Sequence, residues 1–140
     1  MDLEKLQAAL SNEDNLSIIE TNIQDIKSKK NDILQNIGLK KDNLKEYHSM
    51  LKDYRYIDDI KDIKYGTHIR WINLNKVDKV SLNKVAIVCD IKILDKGVAL
   101  CLKSFGNRFF TIYLNENLIF QMITLEEKII LKAINYLKSG

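Results

Sequence analysis

LSIIETNIQDIKSKKNDILQNIGLKKDNLKEYHSMLKDY, residues 16–54, is the stretch on which the fold of this chain turns. From Leu16, steps of three and four land on Ile19, Ile23, Ile26, Lys30, Ile33, Ile37, Lys40, Leu44, Tyr47, Leu51 and Tyr54. Ten of these twelve positions are apolar or aromatic, and the register never slips. Apolar residues recurring every ~3.5 positions specify a helix whose narrow stripe packs against another helix. The spacing predicts a long coiled-coil helix ending near Tyr54, roughly 60 Å in length at ~1.5 Å per residue. The oligomerisation seam would be Leu16, Ile19, Ile23, Ile26, Ile33, Ile37, Leu44, Tyr47, Leu51 and Tyr54. Isoleucine at both kinds of core position favours three or four strands over two. A helical partner of different sequence fits the same stripe.

Two features strain that reading. Lys30 and Lys40 put charges in the seam, where a polar residue trades stability for register. Gly38 costs about 1 kcal/mol inside a helix, although in this register it falls on the outer side. The rival arrangement breaks the chain at residues 36–43 and folds 16–37 against 39–55 as a helical hairpin. Upstream, Leu3, Leu6 and Leu10 share one face of a short helix. The run Ser11-Asn12-Glu13-Asp14-Asn15 interrupts it with residues that favour helix caps.

From Tyr65 the apolar period changes from about three to two. Residues 67–74 form a first expected strand, and Val85, Ile87, Cys89, Ile91 and Ile93 alternate along a second. Asp95-Lys96-Gly97 is a hairpin turn before a third strand over 98–105. Gly106-Asn107 leads to a fourth over 108–114, and Asn115-Glu116-Asn117 to a fifth over 118–123. Thr124 and Glu127 make a capping box for a last helix with an apolar stripe of Leu125, Ile129, Ile130, Ala133, Ile134 and Leu137. The expected fold is α+β: a long N-terminal coiled-coil helix, a small five-stranded antiparallel barrel, and a C-terminal helix capping it. The expected domains are 1–55 for association, 56–64 as a linking turn, and 65–140 for the barrel with its helix.

The octapeptide Tyr65-Gly66-Thr67-His68-Ile69-Arg70-Trp71-Ile72 resembles the opening of a small SH3-like β-domain. That domain occurs in uncharacterised proteins of large DNA viruses of algae and amoebae. The resemblance spans at most residues 57–123. It implies an SH3-like barrel and a viral scaffold or virion-associated protein, located in host cytoplasm or virion.

The chain has 140 residues, 46% of them hydrophobic and 29% charged, with a net charge of +3. This composition belongs to a folded rather than a disordered protein. With no apolar run of ~20 residues and no signal pattern at the start, an intracellular location is expected and no membrane association. Residues 1–64 carry eleven Lys/Arg against thirteen Asp/Glu, a net −2, and residues 65–140 carry eleven against six, a net +5. The second half could therefore meet an anionic partner.

Candidate chemistry is sparse. Cys89 and Cys101 read as buried free thiols of a reducing compartment. With His48 and His68 they are the soft metal ligands present, and their spacing matches no metal motif. No metal, cofactor or catalytic residue is expected. Asp58-Asp59 and Glu126-Glu127 read as capping and solubility charges. Nucleic-acid contact would fall to Arg70, Trp71, Lys103 and Arg108, with Tyr65, Phe109 and Tyr113 as neighbours. The sequence thus favours a non-enzymatic assembly protein that self-associates or binds a helical protein. A nucleic-acid-binding barrel is the alternative.

Overall fold

The computed structural model describes residues 2–76 and 80–139. Five α-helices and six strands follow one another as α1 (Leu3–Ser11), α2 (Leu16–Ile19), α3 (Ile23–Asn36), α4 (Lys41–Met50), β1 (Tyr54–Ile57), β2 (His68–Asn73), β3 (Ala86–Leu94), β4 (Gly97–Ser104), β5 (Phe109–Tyr113), β6 (Asn117–Met122) and α5 (Leu125–Ser139). No helix among the described residues is long and apolar enough to cross a membrane.

The long coiled-coil helix does not form. Residues 16–54 break twice. Asn22 starts α3 with an N-cap, its Oδ1 accepting from the Asp25 amide at 2.9 Å, and this forces a new helix there. Gly38 ends the next segment with φ +73°, a left-handed conformation that a glycine adopts without penalty. The continuous register through Gly38 therefore belongs to two antiparallel helices rather than one. Tyr54, the last seam position, is already in a strand.

The barrel is replaced by an open six-stranded antiparallel sheet in the order β1-β6-β2-β3-β4-β5. β1 is the strand missing from the sequence reading. It adds to β6 in register Tyr54↔Met122 to Ile57↔Ile119, inside the stretch expected as helix end and linker. β2 pairs with β3 only through His68↔Ile87 and Ile69↔Ala86, and beyond that point it runs with β6. The sheet bends there, so its two halves face each other across one core. Ile69, Trp71 and Ile119 meet Val88, Leu100 and Leu102, and the Trp71 and Phe110 rings lie 5.5 Å apart. The edges β1 and β5 stay unpaired with each other, which leaves the sheet open.

Two further clusters cover the sheet. The α3–α4 hairpin lays Leu34, Leu51, Ile33, Ile37, Leu44 and Tyr47 on the other face of β1-β6-β2, against Ile72, Leu118 and Phe120. Helix α5 does not plug a barrel end. It packs Ile130 and Leu131 against Ala9, Ile18 and Ile26 of α1, α2 and α3. Of the seam, Ile26, Leu51 and Tyr54 are buried within the chain, Ile23, Ile33, Ile37, Leu44 and Tyr47 are half-buried, and Leu16 and Ile19 are exposed. The thiols are also less buried than expected: Cys89 is exposed and Cys101 intermediate.

Lys30 shows what a charge in the seam is for. Its ammonium donates to the carbonyls of Leu51 at 2.8 Å and Tyr54 at 2.9 Å. Leu51 is the C-cap of α4, so Lys30 satisfies a carbonyl that the end of the helix leaves without an intrahelical partner. Burial lowers its pKa below the ordinary 10.5, Asp53 pulls it back up, and Lys27 lowers it further.

Replacing Lys30 with Met should destabilise the fold by roughly 1–3 kcal/mol, because the Leu51 and Tyr54 carbonyls both lose a charged donor, Leu51 keeping only the Tyr54 amide at 3.0 Å. The pH dependence has a definite sign. With the folded pKa below the unfolded one, the unfolded chain holds the extra proton between the two values, and stability rises with pH through that window. The stability gap between wild type and Lys30→Met should therefore widen from pH 7 toward the unfolded pKa of about 10.4. Urea unfolding across that range measures it, and a gap that narrows contradicts the assignment.

Candidate nucleic-acid interface

The residues singled out for nucleic-acid contact separate into two groups. Trp71 is a core residue, 8% exposed, packed on Phe110. Arg70 is half-buried, and its Nε donates to the Asn83 carbonyl at 3.0 Å, holding the segment that follows β2. Tyr65 is exposed at the entry to β2, in a different cleft beside Lys64 and Thr67. Lys103, Arg108, Phe109 and Tyr113 fall together on β4–β5 and the turn between them.

Strand alternation explains that grouping. Leu100 and Leu102 point into the core, so Cys101 and Lys103 point out, beside Thr111 and Phe109 on β5. Register then extends the row across four strands, from His68 to Ile87, Lys103 and Phe109. The Lys103 ammonium stands 5.7 Å from the Phe109 ring centroid. His68 contacts Phe105 edge-on at 5.6 Å. Phe105 and Phe109 are 67% and 71% exposed. At the other end of β5, Lys96 lies 4.6 Å over the Tyr113 ring and pairs with Glu116 at 3.2 Å. Phe109 and Tyr113, four residues apart, present rings about 13 Å apart along the strand. None of the three apolar clusters includes Ile87, Lys103 or Phe109. Sequence reasoning weighs His68 as a metal ligand and as a partner for a cysteine nucleophile, not as part of a nucleic-acid contact, and passes over Phe105. The cross-strand register that joins them is absent from local spacing.

A second polar constellation also escaped the sequence reading. Glu127 is the capping-box residue expected, its Oε1 accepting from the Thr124 amide at 2.9 Å. It is also 0% exposed, with Oε2 3.3 Å from Lys64 Nζ and 3.6 Å from Arg55 Nη2. Lys64 donates on to Asn15 at 2.8 Å, and Arg55 to Ser17 at 3.1 Å. Gln121, fully buried next to this group, accepts from the Lys64 amide at 2.9 Å and donates to the Asp62 carbonyl at 2.9 Å. Arg55 also lines a cleft of about 420 Å³ between α2–α3 and β1. Its Nε is closed off from solvent and has no hydrogen-bond partner. The network is therefore a sealed joint rather than a reacting group. Among the described residues no group of three His, Cys, Asp or Glu side chains is placed to hold a metal ion.

No known protein family, curated protein or solved structure matches this chain.

Glu127→Gln keeps the cap but leaves two buried cations without a counter-charge, and should destabilise the fold by about 3 kcal/mol. Glu127→Leu combined with Arg55→Met and Lys64→Met should recover most of that loss, since apolar groups of similar volume need no compensation. Urea midpoints of the two variants check both statements.

Proposed function

We propose that this chain is a non-enzymatic binding protein that takes a single strand of nucleic acid on the outer face of β3–β4–β5. The observation that carries the reading is the row His68, Ile87, Lys103, Phe109, with the exposed Phe105 ring at its side. Exposed rings on a sheet offer stacking platforms to bases, and adjacent cations track the phosphates. Among the described residues Lys103 has no acidic partner within ion-pair distance, and Arg108 next to Phe109 has none either, which supports their meeting phosphate. The net +5 of residues 65–140 supports an anionic partner.

Assembly with a helical partner is the second reading, and one observation favours it. The outward side of α1 and α5 forms a groove of about 760 Å³ lined in part by Leu3, Ile129 and Tyr136, and Leu125 and Leu137 of α5 are exposed as well. Sedimentation at micromolar to millimolar concentration reads it. Wild type should associate weakly, and Leu125→Asp with Leu137→Asp should be monomeric throughout.

For the first reading, fluorescence anisotropy with a labelled oligothymidylate should give binding at about 50 mM salt that falls steeply by about 200 mM, as counterions are released. Phe109→Ala should weaken it by about 1–3 kcal/mol, the worth of one stacked base. Lys103→Ala and Arg108→Ala should flatten the salt dependence. No binding at low salt, or an affinity indifferent to Phe109→Ala, overturns the reading.

A further inference from the structure

The two cysteines are twelve positions apart in sequence, yet the β3–β4 ladder brings them together. Register runs Val88↔Leu102 and then Asp90↔Cys101, with Cys89 as the extra residue of a bulge. A bulge of this kind sets two consecutive residues opposite one, here Cys89 and Asp90 opposite Cys101. Val88 is buried in the core, while Cys89 is exposed on the other side. Cys101 shares that outward side, where its sulfur accepts from the exposed Thr111 hydroxyl at 3.9 Å. Residues set opposite each other on antiparallel strands have Cα atoms about 4.5–5.5 Å apart. That spacing is within the Cα separation of roughly 4.4–6.8 Å that a disulfide bridges without backbone movement.

We infer that Cys89 and Cys101 form a vicinal dithiol that a low-molecular-weight disulfide, such as glutathione disulfide, converts to a cross-strand disulfide. The chemistry balances in two exchanges. The exposed Cys89 loses its proton to solvent and attacks one sulfur of the reagent, breaking its S–S bond and releasing one thiolate, which takes up a proton. Cys101, deprotonated in turn, attacks the Cys89 sulfur of the mixed disulfide and releases the second thiol. Two protein thiols are oxidised and one reagent disulfide is reduced to two thiols. Cys89 acts first because it is exposed to solvent, whereas Cys101 is half-buried; each sulfur makes one weak hydrogen bond, Cys89 donating to the Ile87 carbonyl at 3.7 Å and Cys101 accepting from Thr111. The bulge keeps Ile91 on the core side while leaving Cys89 beside Cys101: in a regular ladder continued from Val88↔Leu102, Cys89 would face Cys101 directly, but Ile91 would leave the core. This inference does not depend on nucleic-acid binding.

Intact-mass analysis after incubation of the full chain with glutathione disulfide tests it. Wild type should lose two hydrogens and carry no adduct. Cys101→Ser should stop at the Cys89 mixed disulfide, and Cys89→Ser should react slowly. Phenylarsine oxide, which requires two neighbouring thiols, should block thiol labelling in wild type and in neither variant. A wild type that retains the glutathione adduct, forms disulfide-linked dimers, or remains labelled after the arsenical overturns the inference.

Discussion

The Glu127 carboxylate, sealed between Arg55 and Lys64, is the contact on which the layered assembly depends. Each partner comes from a different part of the fold: α5, β1 and the segment entering β2. Through Asn15 and Ser17 the same charges hold the N-cap and first turn of α2. Burying a carboxylate without partners costs several kcal/mol, so α5 cannot dock until β1 and residue 64 are in place. The network also fixes register. Arg55 lies opposite Gln121, and Gln121 opposite Ile69. A one-residue slip of β1 would turn Arg55 toward the apolar hairpin and Tyr54 or Tyr56 toward the carboxylate. Apolar clusters tolerate rearranged packing more readily than this joint does.

Lys30 performs the same kind of task one layer away, and together the two explain why the 3-4 spacing misled. A coiled-coil stripe is a single line facing a single partner. Here the line changes partner midway: Ile26 packs with α1 and α5, while Ile33 and Ile37 pack on the sheet. Lys30 sits where the change occurs, and its head reaches the backbone of Leu51 and Tyr54, at the end of α4 and the start of β1, on the edge of the sheet-side cluster. Two residues outside the stripe held the contrary signal. Ile18 and Leu34 are both 0% exposed, yet a single coiled seam would leave them facing water. Apolar positions on two sides of a helix point to burial in a layered domain rather than to a coil.

The strands were more legible, because period-two patterning and turn residues act locally. The turns at Gly97 and Gly106-Asn107 stand where they were expected, and Asn107 takes φ +60°. The capping box of Thr124 and Glu127 forms as read. β1 was invisible because its four residues, Tyr54–Ile57, continue a helical rhythm and become a strand only by pairing with β6, more than sixty positions later. The alternation in β3 was also deceptive. Ile87, Cys89, Ile91 and Ile93 look like one face, but Ala86 and Val88 enter the core, and the bulge then restores Ile91 to it. An inserted residue shifts phase, and sequence spacing carries no mark of it. The candidate interface suffered in the same way. Its members share no local motif and meet only through ladder register.

The energetics of that interface argue against a merely solvated face. Antiparallel sheets do leave one face to water, and single exposed apolar residues are ordinary. Phe109 and Phe105 are instead two large rings near one row, each more than 60% exposed. Fully burying a Phe is worth about 1.5–3 kcal/mol. A cation over an exposed ring returns only about 0.5–1 kcal/mol. The contact between Lys103 and Phe109 therefore offsets only part of what exposure forgoes. Folding alone would favour a polar or β-branched residue at position 109, as Thr111 is two places along the same strand. A ring held open beside an ammonium that pairs with no carboxylate among the described residues contributes little to the free chain, and the proposed flat, anionic partner is what would recover that cost.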